Sequence, residues 1–591
     1  MTRPTLPSPR PRLVRGGSAL LRRLGGRVRS IELLFVLVAI AIGMGAGVLT
    51  VVQGALARTL QHLLYDLPDH LRLSGAPPLG WAQLLVLPVG GVTLVLFNRL
   101  VGARRRSLVD AVEANALHGG RMSASDSLIV SGQTIVSNGF GASVGLEAAY
   151  AQLGGLIASA AARALNLRRI DIRTLVGAGA GGAIAAAFGA PIAGAFYAFE
   201  VVIGAYTPAA VAPVVAAALA GAQTAQRLGA IPYIVHVETG PAIHTLGYLL
   251  YGGLGVSCAL LGIVLMHAVA QVEMRSRALL PGWGRPILGG VGLAGLAALS
   301  PQVLSAGHSA LHLDMTIALP LAFLAAMLLL KALASIVSLG FGFRGGLFFA
   351  SLFLGTLVGH LYAGALAWVA GESILNVGNA AMVGMAAFAV AVVGAPFTMT
   401  MLVLEATGNF SLTGAVLAAS LVSSTIVRQL FGYSFSTWRL HLRGETIRSA
   451  RDVGWVKALT AGRMMRRAPN LVAADMTVAE FRRRFPLGST SRVVLVDQAD
   501  RYAGIVPTVA AHGDTVATDA AVATLAEARD EALPPETDIV AVMARFDAAQ
   551  RDELAVIDGQ AQVLGILTEA HVRRRYAEEL EKAQRELFGE A

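Results

Sequence analysis

Charged residues are scarce in this chain: Asp, Glu, Lys and Arg make up 14% of the 591 residues, against 55% hydrophobic ones. That deficit excludes an ordinary soluble globular protein and points to a polytopic membrane protein. Cysteine is nearly absent as well. Cys258 stands alone, which excludes an internal disulfide and argues against a cysteine metal cluster. Acidic residues are missing before Glu32, whereas Arg3, Arg10, Arg12, Arg15, Arg22, Arg23, Arg27 and Arg29 all precede it. No aromatic residue interleaves these arginines, which argues against nucleic acid and for a cytoplasmic N-terminus lying against anionic lipid. The apolar run from Leu33 to Ala57 is too long for a cleaved signal peptide.

Glycine, by contrast, is abundant at 66 residues. Between Asp126 and Arg163 the only charge is Glu147, and between Arg344 and Arg428 only Glu372 and Glu405 occur, so several bilayer-length runs are almost uncharged. Roughly ten or eleven apolar segments qualify by length and composition. Long helices are predicted at 31–62, 80–101, 246–275, 315–339 and 411–431, with shorter, glycine-broken pieces between them.

Two phrases occur twice. Gly189-Ala190-Pro191 leads to Glu200 and Gly394-Ala395-Pro396 to Glu405, the glutamate lying eleven positions after the glycine in each. Gly145-Leu146-Glu147 runs to Leu153-Gly154, and Gly346-Leu347-Phe348 to Leu354-Gly355. The copies are offset by 205 and 201 residues. Duplicated halves with broken apolar segments mark a membrane carrier whose substrate binds at the interface of the repeats, expected here at about 80–225 and 284–431.

The copies differ at one chemically loaded position, where Glu147 in the first matches Phe348 in the second. A carboxylate alone at mid-membrane costs roughly 2.5 to 3.5 kcal/mol, so a use for it is expected. It opens a helix predicted from Ala148 to Ala162, at the positive end of the dipole, where an anion is stabilised. There it can occupy an anion site and leave when a mobile anion arrives or when it is protonated; simple helix capping is the alternative. Gly345-Gly346-Leu347-Phe348 opens a second helix that offers only backbone and bulk. Amides around Gly145, Leu146, Leu347 and Phe348 are thus candidate anion ligands, with small-residue helix packing as the alternative for the second phrase.

Composition turns polar after Leu442, and a soluble domain of about 150 residues follows, enough for one compact fold. Within it a pattern repeats: strand Arg492–Val496 and a strand ending Gly504-Ile505-Val506, then strand Glu553–Ile557 and Gly565-Ile566-Leu567-Thr568. The tail from Glu569 to Glu590 is predicted as a charged helix.

These motifs resemble the CLC chloride channel and transporter family over about 31–442, and the trailing domain resembles the paired CBS modules that many members carry. The resemblance rests on Gly141-Ala-Ser-Val-Gly145-Leu-Glu147, on Ala186 to Gly194 leading to Glu200, on Gly345-Gly-Leu-Phe348, and on Gly394-Ala-Pro-Phe-Thr leading to Glu405. It implies an all-α polytopic membrane protein built as an inverted repeat of tilted, broken helices, with an α/β CBS-pair domain behind it. The implied layout is a basic N-terminus at 1–30, a membrane domain at 31–442, a linker at 443–460 and the CBS pair at 461–591. It further implies a homodimer with one pore per subunit, chloride or a similar small anion as substrate, and Glu147 as gate. An inner-membrane location with both termini cytoplasmic follows from the charge pattern.

The departures bear on mechanism. The family's first anion loop, Gly-Ser-Gly-Ile-Pro, aligns with Gly102-Ala103-Arg104-Arg105-Arg106, so Ala103 takes the serine's place beside the anion. Arg104 to Arg106 either focus anions toward a vestibule or only fix orientation. Leu146 replaces the arginine before the gating glutamate, and Ala148-Ala149 the Gly-Pro after it. The pore tyrosine falls on Ser436, with Tyr433 nearby. Coupled exchangers carry a second glutamate directly after the position matched by Glu200, and here that position is Val201, which cannot relay a proton. Glu200 and Glu405 are read as backbone caps, a proton path being the alternative. The ribose-binding aspartate of Ser/Thr-x-x-Asp is absent from Thr568-Glu-Ala-His571 and from Pro507-Thr-Val-Ala510, so no nucleotide, and no other cofactor or metal, is expected. The expected function is gated chloride conduction, with proton-coupled antiport as the alternative. A remote third is an intramembrane serine protease, because Gly141-Ala-Ser143-Val-Gly145 satisfies Gly-x-Ser-x-Gly.

Overall fold

The computed structural model describes residues 31–68, 71–102, 108–230, 243–316, 319–435, 437–438 and 459–588. The chain divides into two compact units, 1–452 and 453–591, close to the change of composition after Leu442. In the first unit α1 (Glu32–Tyr65) precedes α2 (Trp81–Leu84), α3 (Val86–Val101), the short α4 (Ala111–Leu117), α5 (Ala124–Gly139), α6 (Glu147–Ala164) and α7 (Arg169–Phe188). Then come α8 (Pro191–Tyr197), continued by a π-helical turn over Ala198–Ile203, and α9 (Pro208–Arg227). After α10 (Thr245–Leu279) follow α11 (Gly284–Leu299), α12 (His308–Thr316), α13 (Leu321–Gly340), α14 (Phe348–Ala370), α15 (Val377–Val393), α16 (Pro396–Thr407) and α17 (Phe410–Leu430). Eight helices among the described residues are long and apolar enough to cross a membrane. The helix predicted at 315–339 begins at Leu321 instead, because Pro320 caps it in an extended conformation and lacks the N–H to continue a helix from upstream.

The second half repeats the first element by element, and glycines mark the correspondence. Gly139-Phe140-Gly141 ends α5 and Gly340-Phe341-Gly342 ends α13, with Gly141 at φ +91 and Gly342 at φ +99. Only glycine takes such a left-handed turn without strain. The twin Leu-Gly phrases have a second cause. A Cβ on Gly154 of α6 would stand 2.3 Å from the Gly179 carbonyl oxygen of α7, and one on Gly355 of α14 would stand 2.3 Å from that of Gly384 on α15. Both helix pairs therefore cross backbone against backbone, as membrane helices without a hydrophobic driving force between them often do.

The twin Gly-Ala-Pro phrases interlock the halves. Each opens a helix whose first amides need an acceptor, since proline starts the turn but leaves the following N–H groups free. Glu405, near the end of α16, accepts from the Ile192 and Ala193 amides of α8, both at 2.8 Å. Glu200, in the π turn after α8, accepts from the Phe397 and Thr398 amides of α16 at 3.1 and 2.8 Å, and from the Thr398 hydroxyl at 2.7 Å. Each glutamate thus caps the helix that leads to the other. The eleven-residue spacing of both phrases sets the length of this exchange.

The second unit is α/β. Its two sheets, β1 (Leu471–Ala473), β2 (Arg492–Val496), β3 (Tyr502–Pro507) and β4 (Ala532–Leu533), β5 (Glu553–Ile557), β6 (Val563–Thr568), share one topology, parallel then antiparallel, with a register shift at the same place. Val494 and Ile505 of one sheet pack with Ala555 and Ile566 of the other to form the core between them. The charged tail helix runs from Glu569 to Phe588. β1 and β4 escaped the sequence reading, being too short to show alternation.

Because a charge-assisted bond to backbone contributes roughly 1.5–3 kcal/mol, Glu405→Ala and Glu200→Ala are each expected to lower the detergent-solubilised melting midpoint by several degrees. Glu→Gln at either position is expected to lower it less. Unchanged midpoints for both alanine variants would mean that the exchange does not join the halves.

Candidate functional site

The two halves meet at their broken helices. The Gly145 N–H donates to the Gly346 carbonyl at 2.9 Å, and the Gly346 N–H donates back to Gly145 at 3.2 Å, an antiparallel bridge between equivalent residues. Antiparallel pairing of equivalents is what an inverted repeat requires. Immediately beyond the bridge α6 starts at Glu147 and α14 at Phe348, and neither cap residue, Leu146 or Leu347, supplies a side-chain bond to the first turn. Two helix N-termini therefore converge with no side-chain cap from the residue before either, an arrangement that favours an anion.

A buried polar network holds these segments. Asn138 Nδ2 donates to the Val144 carbonyl at 2.7 Å and to Ser305 Oγ at 3.1 Å, while Gln61 Nε2 donates to the Asn138 carbonyl at 2.9 Å. The Ser305 amide donates to the Gly141 carbonyl at 3.0 Å. Lys331, only 1% exposed, donates to the carbonyls of Val303 and Ser305 at 3.0 and 2.8 Å, which pins that loop from behind. Ser143 is bonded to two serines of α13, its amide to Ser338 Oγ at 2.9 Å and its hydroxyl to Ser335 Oγ at 3.2 Å. It has no histidine or carboxylate partner among the described residues, so the Gly-x-Ser-x-Gly phrase is a packing motif here and no nucleophile is activated.

Glu147 is 4% exposed, and its Oε2 has no hydrogen-bond partner. The carboxylate folds back over the bridge: a Cβ on Gly145 would fall 1.9 Å from Oε2, and one on Gly346 would stand 3.7 Å from the same oxygen. Two cavities meet at this side chain. One, of about 120 Å³, is lined by Arg58, Gln61, Arg72, Leu146, Ser305 and His308. The other, of about 110 Å³, is lined by Asp110, Tyr197, Val201, Arg344, Leu347, Phe348 and Phe435. Glu147 lines both. Each holds room for a few waters or one small anion. Phe348 walls the second cavity, with ring centroids 5.1 Å from Phe188 and 6.2 Å from Tyr197.

Gly145, Leu146, Glu147, Leu347 and Phe348 thus come together as the repeats suggest. Val201 lines the second cavity, but Glu200 and Glu405 point their carboxylates into the exchange of caps. Tyr433 does not reach either cavity around Glu147. It lies against Phe431 and Trp438, at 6.3 and 5.5 Å, after the left-handed turn at Gly432, and lines a third cavity beside Glu200. Phe435 lines the second cavity instead. Ser436, Ala103 and Arg104 to Arg106 lie outside the described residues. From that part of the chain it is Asp110, the N-cap of α4, that reaches the site.

Asp110, Tyr197, Arg344, Arg58, Arg72 and Lys331 were missed in the sequence. Only Lys331, a charge inside an apolar run, carried a signal that could have found it. Arg58 lies inside α1 just past its apolar run, and the others sit at helix ends or in loops, where a polar residue is unremarkable.

Gly145→Ala is expected to drive the Glu147 carboxylate from its position by about 1.5 Å or more, the shortfall from ordinary van der Waals contact. The atoms met belong to the far end of a flexible side chain, so the fold should persist. A structure of the variant with the carboxylate unmoved would contradict this geometry.

The family model for the voltage gated chloride channel matches residues 89–428, more than half of the chain. An Escherichia coli voltage-gated ClC-type chloride channel, ClcB, is 29% identical over 372 residues, covering 61% of this chain and 87% of that one. Among solved structures, a slow cyanobacterial Cl−/H+ antiporter superposes with a TM-score of 0.60 at 21% identity, covering 69% of this chain and 97% of that one. A eukaryotic CLC transporter superposes with a TM-score of 0.58 at 17% identity and covers 91% of this chain and 97% of its own. With the inverted repeat, the converging helix N-termini and the family match on one chain, it belongs to the CLC family of voltage-gated chloride channels and transporters, multi-pass membrane proteins that carry anions and are not enzymes.

Proposed function

We propose that this chain is a gated chloride conductor in which the Glu147 carboxylate occupies the anion site when closed and leaves it when open. The observation that carries the reading is the position of one carboxylate where two helix N-termini converge and two cavities meet. An anion arriving from either cavity competes with the carboxylate for the same amides, and protonation of Glu147 removes its charge and with it the reason to stay. With the N-terminal arginines cytoplasmic, the cavity lined by Arg58 and Arg72 faces outward and the cavity lined by Asp110 and Arg344 faces inward, in an inner-membrane homodimer with one path per subunit. The C-terminal unit, whose duplicated sheets fit a CBS pair, then lies in the cytoplasm and stabilises the dimer or tunes the gate.

Two observations favour passive conduction over proton-coupled antiport. Val201 lines the inward cavity without an ionisable group, and the Glu200 carboxylate is held by three hydrogen bonds to the start of α16. The fold likeness to a Cl−/H+ antiporter keeps antiport as the second reading.

Reconstituted vesicles with chloride and proton movement recorded together separate these readings. Passive conduction gives chloride efflux with no uphill proton movement, and a steady proton-to-chloride ratio would establish antiport instead. In the same assay the unmodified protein should conduct more as pH falls, because protonation opens the gate. Glu147→Gln should raise neutral-pH flux several-fold and flatten its pH dependence. Identical pH profiles for the two proteins would reduce Glu147 to a helix cap.

A further inference from the structure

The two cavities around Glu147 differ in fixed charge. Apart from the shared glutamate, the described residues that line the outward cavity include Arg58 and Arg72 and no acid. In the inward cavity the cation Arg344 is set against the acid Asp110. Asp110 accepts a hydrogen bond from the Glu113 amide at 2.8 Å, capping α4 through Oδ1. Asp110 also lines the inward cavity. Tyr197 lies within electrostatic reach of both Asp110 and Glu147.

We infer that Asp110 sets the asymmetry of anion transport, as a fixed negative charge in the inward cavity that weakens anion occupancy from that side. The inference rests on the reading of the two cavities as the mouths of one anion path. An anion in the inward cavity meets Asp110 at short range in a medium less polar than water, where one like charge changes occupancy by roughly threefold to tenfold. Arg344 opposes it across the cavity. Among the described residues, the remaining charged groups on the elements packed around α4 are Glu113 on α4 itself, Arg163 of α6, Arg169, Asp171 and Arg173 of α7, the last donating to the Ile203 carbonyl at 3.4 Å, and Glu200, held by the α16 amides. Neutralising Asp110 would leave Arg344 as the cavity's net charge beside Glu147. Both mouths would then attract anions, and the path would lose its direction.

Asparagine and serine cap helices as well as aspartate does, so Asp110→Asn and Asp110→Ser remove the charge while keeping the bond to Glu113. The test is chloride uptake into right-side-out and inverted membrane vesicles from cells expressing the full chain, each over a range of chloride concentrations. Both variants are expected to lower the half-saturating chloride concentration in inverted vesicles, where entry is from the inward face, by about threefold to tenfold. In right-side-out vesicles it should hold steady, and Asp110→Glu should restore the original inward value. Unchanged half-saturation in inverted vesicles for properly inserted Asn and Ser variants would overturn the proposal, as would an equal shift from both faces. Glu147→Gln run alongside keeps the readings apart. If it alters flux while the Asp110 variants do not, only the role of Asp110 falls; if it alters nothing from either face, the gate itself falls.

Discussion

The pairing of Gly145 with Gly346 is the contact on which the rest of this molecule depends. Two backbone hydrogen bonds hold the ends of two helices together, one from each half, and the proposed anion site depends on their meeting. Almost every buried polar group nearby maintains that meeting. Asn138 fixes the carbonyl before Gly145, Ser137 accepts from the Arg344 amide on the opposite strand at 2.9 Å, and Lys331 secures the loop that braces Gly141. Gly145 cannot carry a side chain here without driving out the Glu147 carboxylate, whereas a Cβ on Gly346 would only touch that carboxylate and Ala148 at van der Waals distance. The position of the Glu147 carboxylate and the geometry of the proposed site are therefore one constraint.

A second pair of contacts keeps the halves in register away from the site. Glu200 and Glu405 each neutralise the start of a helix belonging to the other repeat, so the acids most visible in the apolar runs serve structure. This assignment also bears on protons. The Glu200 carboxylate is tied by three hydrogen bonds to the start of α16 and does not line the cavity at Glu147 that Val201 lines. The residue beside it, Val201, faces the inward cavity with nothing to donate. The same architecture thus supports the proposed conduction path and places valine where a relaying acid would stand beside it.

Much of the fold was legible because duplication leaves a record at the residue level. Gly-Phe-Gly, Leu-Gly and Gly-Ala-Pro recur at nearly constant offset, each enforced by backbone geometry: a left-handed turn, a helix crossing, a capped helix start. The acid at 147 was legible because charge is costly in an apolar run. The rest of the site was not, for a physical reason. Asp110 and Arg344 are brought to the anion path by the way helices end, and helix ends in loops carry no periodicity. Tyr433 was drawn away by its own aromatic neighbours, and Phe435 reached the cavity through a turn at Gly432 that composition does not announce.

The family's serine in the first anion loop, its arginine before the gating glutamate and its pore tyrosine are all replaced in this chain, yet the cavity around Glu147 is intact. That tolerance follows from the glycine bridge. A binding site made of main-chain amides is encoded by chain path, so evolution can exchange the surrounding side chains, and with them the preferred ion or the direction of flow, without having to rebuild the place where the ion sits.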